Sequence, residues 1–179
     1  MLTVITGATG HVGNVLVREL RARGRRVRAL VPDFEDRSCL DGLGVEICTA
    51  DVREPDSLVR GLAGADVVFH LAGLVSITGD RAGQLRVVNV TGTRNVVRAC
   101  RQVGVGRLVY TSSVHALPEP PCGVPLRETA RFDPARVLGD YARSKAEASR
   151  EVLAGVEEGL DAVMVFPSGI IGPYDYRPS

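Results

Sequence analysis

The first 24 residues constrain the fold more than any other stretch. Leu2-Thr3-Val4-Ile5-Thr6 is short, apolar and β-branched, which reads as a strand. Thr6-Gly7-Ala8-Thr9-Gly10-His11-Val12-Gly13 follows, with its glycines spaced GxxGxxG. Val12, Val15, Leu16 and Leu20 then recur at helical spacing, and Gly24 stands where a helix C′ residue belongs. Glycines let a turn tighten and let a ligand approach the backbone. The start of a helix offers free N–H groups to a phosphate. Alone such a string is weak, but between a strand and a helix it points to a βα turn that binds a phosphate-bearing ligand.

The rest of the chain keeps the same alternation. Strands are predicted at Arg26–Val31, Val45–Cys48, Asp66–His70, Arg107–Thr111 and Ala162–Phe166. Helices are predicted from Pro55 to Leu62, over Gly83–Gly104 and over Asp140–Glu158, with Pro55 suited to a first turn. Leu117–Gly139 is rich in Pro and Gly and reads as a long loop, a kind of segment that is often functional. This order implies βαβ units, right-handed crossovers and an α/β fold built on a doubly wound parallel sheet. The apolar strands suit a sheet covered on both faces.

One pair of residues carries chemistry. Tyr141-Ala-Arg-Ser-Lys145 places a phenol and an ammonium one helical turn apart on one face. A neighbouring ammonium favours phenolate, so Tyr141 is expected to have a lowered pKa and to exchange a proton with a substrate hydroxyl or carbonyl. YxxxK is a common spacing, but Lys145 is the only lysine among 22 basic residues. With four tyrosines in 179 positions, a tyrosine four places before it arises by chance about once in 45. A forked guanidinium would serve poorly where a compact charge is needed. Thr111-Ser112-Ser113 ends the fifth strand, at the sheet edge where parallel sheets bind ligands. A hydroxyl there can hydrogen-bond a substrate oxygen or cap a turn.

Composition excludes several alternatives. With 45% apolar and 24% charged residues the chain is neither disordered nor membrane-spanning, and it is long enough for one domain. Its net charge of +1 gives no field to attract nucleic acid or an anionic membrane. Cys39, Cys48, Cys100 and Cys122 match no metal-ligand spacing and read as reduced thiols. No metal is expected. The N-terminus opens directly into a strand without a signal-peptide pattern, so a cytoplasmic location is expected.

These features, in this order, resemble the short-chain dehydrogenase/reductase superfamily, and more narrowly its extended branch, the NAD-dependent epimerase/dehydratase family. Asp51-Val52, His70-Leu71-Ala72-Gly73, Asn89-Val90-Thr91-Gly92-Thr93 and Pro167-Ser168-Gly169-Ile170-Ile171-Gly172-Pro173 extend the match from Thr3 to Pro173. The resemblance implies a Rossmann-type NAD(P)-binding domain over residues 1–179. Gly7, Gly10, His11, Val12 and Gly13 would wrap the pyrophosphate, Asp51 and Val52 meet the adenine, and Leu71, Ala72 and Gly73 the ribose side. Asn89 would shape the active site and a proton-relay water, and Ser113 would polarise the substrate oxygen. Tyr141 would be the acid/base, and Lys145 would bind the nicotinamide ribose and tune Tyr141. Thr111 joins the cofactor set, and Pro167 to Ile170 would line the nicotinamide. A homodimer through Gly83–Gly104 and Asp140–Glu158 is a further implication. Family members continue into a C-terminal lobe that supplies most substrate contacts. That lobe is absent here, so a fragment is expected.

The functional expectation is hydride transfer at a hydroxyl- or carbonyl-bearing carbon. Net reduction or oxidation, epimerisation and dehydration all fit, on nucleotide sugars or on small ketones like those of dihydroflavonol-reductase-like members. The alternative is a non-catalytic dinucleotide-binding sensor, which has no need of the Tyr141–Lys145 pair. A methyltransferase-like Rossmann binder leaves Ser113, Tyr141 and Lys145 unexplained. NAD and NADP both remain open. Val31 stands where many NAD-using members carry an acid, Asp33 favours NAD, and Arg28 or Arg37 favours NADP.

Overall fold

The computed structural model describes residues 1–76 and 83–176. Among these residues six strands form one parallel sheet: β1 (Leu2–Thr6), β2 (Arg26–Val31), β3 (Glu46–Thr49), β4 (Val67–His70), β5 (Arg107–Thr111) and β6 (Ala162–Val165). Their order is β3-β2-β1-β4-β5-β6, all neighbours parallel, in the doubly wound arrangement. The order reverses between β1 and β4, which places the ligand crevice above the C-terminal ends of those two strands.

Among the described residues four α-helices connect the strands: α1 (His11–Ala22), α2 (Pro55–Leu62), α3 (Gly92–Val103) and α4 (Asp140–Glu157). Side chains alternate across the pleat, so Val4 and Ile5 on β1 enter different cores. Val4, Leu30, Val68 and Leu108 meet Leu58, Leu62, Val96 and Val152 of α2, α3 and α4. On the opposite face Ile5, Val27, Ala29 and Val31 pack under Val17 of α1. A third cluster joins Leu117, Phe132 and Val137 of the long loop to Ala142 and Ala146 of α4, and Phe132 stacks on Phe166 at 5.9 Å.

Two expectations need correction. Cover is not complete on both faces: Ala162 and Met164 of β6 turn toward α4, whereas Val163 and Val165 are 43% and 40% exposed on the other side. The stretch before α3 is not a plain α-helix. Arg86–Thr91 forms a π-helical turn that runs directly into α3 and buries Asn89 and Val90.

Helix ends follow their residues. Gly24, with φ of 70°, lets Arg25 and Gly24 donate back to Leu20 and Arg21 and close α1. At the other end α1 presses onto the loop before it. A Cβ at Gly13 would lie 2.0 Å from the Gly7 carbonyl oxygen, whereas one at Gly10 would stand 3.4 Å from that atom. Gly13→Ala is expected to destabilise the chain by about 3 kcal/mol and Gly10→Ala by well under half of that, read from urea-unfolding midpoints.

Candidate functional site

Two cavities meet above the strand ends. One, of about 310 Å³, lies between the glycine loop, the end of β2, Asp51–Arg53 and Leu71–Leu74. The other, of about 570 Å³, runs from the first turn of α1 past Thr111–Ser113 to Tyr141, Lys145, Pro167 and Ile170. Gly7, Gly10, Leu71, Gly73 and Leu74 line both. The glycine loop is therefore a low ridge in the middle of one trough, shaped for a two-ended ligand with an anionic centre. A Cβ at Gly73 would come within 3.2 Å of Asn89 Oδ1, so a side chain there would crowd the Asn89 amide. The residues fit a dinucleotide on this count.

Asp51, Val52, Leu71, Ala72 and Gly73 fall in the first cavity. His11, Val12, Gly13, Thr111, Ser113, Tyr141, Lys145, Pro167 and Ile170 fall in the second. Asn89 lines neither. Its amide clamps the segment after β4: Oδ1 accepts from Leu74 N at 2.8 Å, and Nδ2 donates to Leu74 O and to Ser144 Oγ, each at 2.9 Å. Ser144 joins this clamp although no sequence signal singled it out, apart from its place next to Lys145.

The two serines after β5 separate by their partners. Ser112 Oγ pairs with Ser149 Oγ of α4 at 2.8 Å, in a buried contact. Ser113 Oγ accepts from His115 N at 3.2 Å and caps the turn Val114–Ala116. Its hydroxyl proton is left for the cavity side, where it faces Tyr141, so capping and a role in the cavity are compatible at this position. His11 turns toward the segment after β6: Nε2 is 3.0 Å from Pro173 O and Nδ1 is 3.7 Å from the Asp175 carboxylate.

Lys145 is 6% exposed, and its ammonium donates to the Thr111 carbonyl at 2.7 Å. Burial pushes its pKa down to about 8. Tyr141 departs from expectation. Burial raises its pKa, with the Ser113 hydroxyl working the other way. The Lys145 ammonium is turned to Thr111. Beneath them His70 is fully buried, its Nδ1 2.8 Å from Thr6 Oγ1 and its Nε2 2.9 Å from Thr93 Oγ1. Burial, then the charge of Lys145, push its pKa down to about 3, so His70 is a neutral strut between β1, β4 and α3.

At the opposite end of the trough Asp33 is exposed and lies outside the cavity wall, whereas Glu35 is half-buried and lines it. Arg53 is the only cation among the described residues lining that cavity. It forks onto Asp51, with contacts of 2.5 to 3.0 Å, and sits 5.3 Å from the Phe34 ring centroid. The hydrogen bonds from Arg53 hold the Asp51 carboxyl below its usual range. Sequence reasoning named Asp51 but not Glu35, Phe34 or Arg53, because the loop after β2 has no periodicity to fix which side chains turn inward.

Comparison with known proteins agrees with this geometry. The model of the NAD dependent epimerase/dehydratase family matches residues 3–179. The chain is 41% identical, over its whole length, to sterol demethylase protein B of Methylococcus capsulatus and covers 54% of that protein. It is 35% identical to a protein of Synechocystis named for dihydroflavonol 4-reductase, with 98% of this chain and 51% of the relative covered. The NAD complex of UDP-glucose 4-epimerase from Thermus thermophilus superposes with a TM-score of 0.81 at 29% identity, over 93% of this chain and 54% of that one. The chain thus spans about half the length of the curated relatives it matches. Among the described residues no helix is long and apolar enough to cross a membrane. A doubly wound sheet, a glycine ridge dividing one trough and a family model that matches nearly every residue agree: the chain belongs to the NAD-dependent epimerase/dehydratase family, whose cofactor is NAD(P).

Proposed function

We propose that this chain is the cofactor-binding and catalytic half of an oxidoreductase acting at a carbon that bears a hydroxyl or carbonyl group. The observation that carries the reading is the convergence of Ser113, Tyr141 and Lys145 on one cavity beside the glycine loop. The nicotinamide dinucleotide, when bound, gives or takes the hydride. Tyr141 Oη exchanges a proton with the substrate oxygen, and the Ser113 hydroxyl donates a hydrogen bond to the same oxygen. Lys145 presents its ammonium to the nicotinamide-side ribose, and Gly7, Gly10 and Gly13 with the first turn of α1 hold the pyrophosphate. Asn89 keeps Leu74 and the wall it belongs to in place.

The substrate we assign is a small, largely apolar ketone or its alcohol rather than a nucleotide sugar. Leu74, Val75 and Ile170 border the catalytic cavity and are 41%, 72% and 49% exposed. The sterol demethylase and dihydroflavonol reductase names of the relatives favour the same class. The homodimer implied by the resemblance belongs to this proposal. It would set the ladder Arg86–Glu147, Arg94–Glu151 and Arg101–Glu158, which crosses the outer face of the α3–α4 pair, against its own copy.

For the cofactor we propose NAD over NADP. A 2′-phosphate needs an uncommitted cation, but Arg53 is held by Asp51 and the Glu35 carboxylate lines the same cavity. NAD is expected to bind at least about tenfold tighter than NADP, with Glu35→Ala narrowing the gap, by fluorescence titration. Equal affinities would refute this preference.

Two substitutions test the main reading from opposite sides. Tyr141→Phe is expected to lower turnover by about 10²–10⁴-fold in the full-length protein while leaving the Kd for NAD unchanged. Gly10→Val is expected to leave the fold intact and abolish NAD binding, because that position has room within the loop but borders both cavities. Comparable turnover of Tyr141→Phe and its parent would overturn the catalytic assignment.

A further inference from the structure

Lys145 has an aromatic neighbour outside its own helix. Its Nζ lies 4.8 Å from the ring centroid of Tyr110, the fourth residue of β5. Tyr110 is 1% exposed, and its hydroxyl faces the Thr93 and Ser112 hydroxyls without a hydrogen bond of good geometry among the described residues. A buried phenol oxygen without a well-formed hydrogen bond is unfavourable, and a leucine at this point of the core would avoid it. What the ring offers Lys145, which a leucine would not, is a face of negative electrostatic potential 4.8 Å from its ammonium.

The surroundings of the ammonium leave little else for that task. From β5 it receives the Thr111 carbonyl at 2.7 Å. From α4 its titratable neighbour is Tyr141, whose pKa is raised by burial, so it stays a neutral phenol. From β4 comes His70, whose ring centroid is 5.5 Å from that of Tyr110 and whose imidazole is neutral between Thr6 and Thr93. The π-helical turn contributes the neutral Asn89 amide beside Gly73. No carboxylate forms an ion pair with Lys145 among the described residues. The ammonium therefore sits in the core on one carbonyl and one aromatic face.

We infer that Tyr110 is a positioning residue of this site: its ring face keeps the Lys145 ammonium charged and fixed beside Thr111, at the wall of the cavity that Tyr141 enters. The ring, not the hydroxyl, does this. Its consequence for turnover rests on the catalytic reading above, but the contact itself does not.

The single lysine makes the test direct. The 179-residue chain grown with 13Cε-lysine gives one side-chain signal, that of Lys145, whose shift is followed against pH by NMR. The parent is expected to titrate near pH 8. Tyr110→Phe, which keeps the ring, is expected to titrate within about 0.3 unit of the parent. Tyr110→Leu is expected to fall by about 0.5–1.5 units. A Leu variant titrating with the parent, or a Phe variant falling as far as Leu, would overturn the inference. So would a parent titrating like free lysine. If Tyr110→Leu fails to fold by circular dichroism, trifluorophenylalanine at position 110 keeps the shape and removes the negative face. It is expected to show the same fall, and an unchanged midpoint would overturn the inference. The readout needs neither substrate nor turnover, so failure of the catalytic reading would be visible separately, in the kinetics of Tyr141→Phe.

Discussion

Backbone meets backbone where α1 starts, and the geometry of the ligand trough follows from that contact. The Gly7 carbonyl lies so close to Gly13 that a Cβ at Gly13 would stand 2.0 Å away. With α1 held at that distance, its first turn faces the gap between β1 and β4. The loop forms a ridge low enough for the two cavities to join across it. A larger residue at position 13 would lift the helix and tilt the first-turn N–H groups away. Gly7 is bound by the other neighbour, since a Cβ there would strike Ala72 N at 2.6 Å. Gly7 thus sets the loop after β1 against the segment after β4, and Gly13 sets α1 against that loop.

Under this ridge runs a polar seam through an otherwise apolar core. Thr6, His70 and Thr93 are linked by hydrogen bonds, and Tyr110 and Lys145 adjoin them through ring contacts. The seam ties β1, β4, β5, α3 and α4 together at their ligand-facing ends. It comes at an energetic cost. The pKa of Lys145 falls from 10.5 to about 8 on burial, so the folded chain binds that proton less well than the unfolded one. The penalty is about 3 kcal/mol below pH 8, shrinks as the pH rises through the interval, and vanishes above 10.5. A charge held inside at that cost is typical of a functional group.

Much of the fold was legible because its signals are local. The limits of β1, β2, α2 and β5 agree with the apolar runs and with Pro55, and β3 runs one residue later than its apolar run, Glu46–Thr49, with Val45 against the core outside the strand. Sequence spacing also brought Ser113, Tyr141 and Lys145 to the same strand ends. What escaped depends on three-dimensional neighbours. Nothing in Thr111-Ser112-Ser113 says which hydroxyl bonds to α4, since that is settled by Ser149 across the core. The pKa direction of Tyr141 depends on how deeply it is buried and where Lys145 points, and spacing encodes neither. The choice of Glu35 over Asp33 at the adenosine end is a matter of loop path.

The π-helical turn at Arg86–Thr91 bears on how this site can change. Such a turn is an α-helical turn carrying one surplus residue, and the hydrogen-bond ladder resumes normally beyond it. Loss of a single residue there would return the segment to ordinary winding and leave α3 packed as it is. It would also rotate the clamp at Asn89 away from Leu74 and Ser144. The clamp and the adjoining core share this turn: a one-codon deletion between Asn89 and α3 would turn the wall of the trough away and take Val88 off the core it packs on.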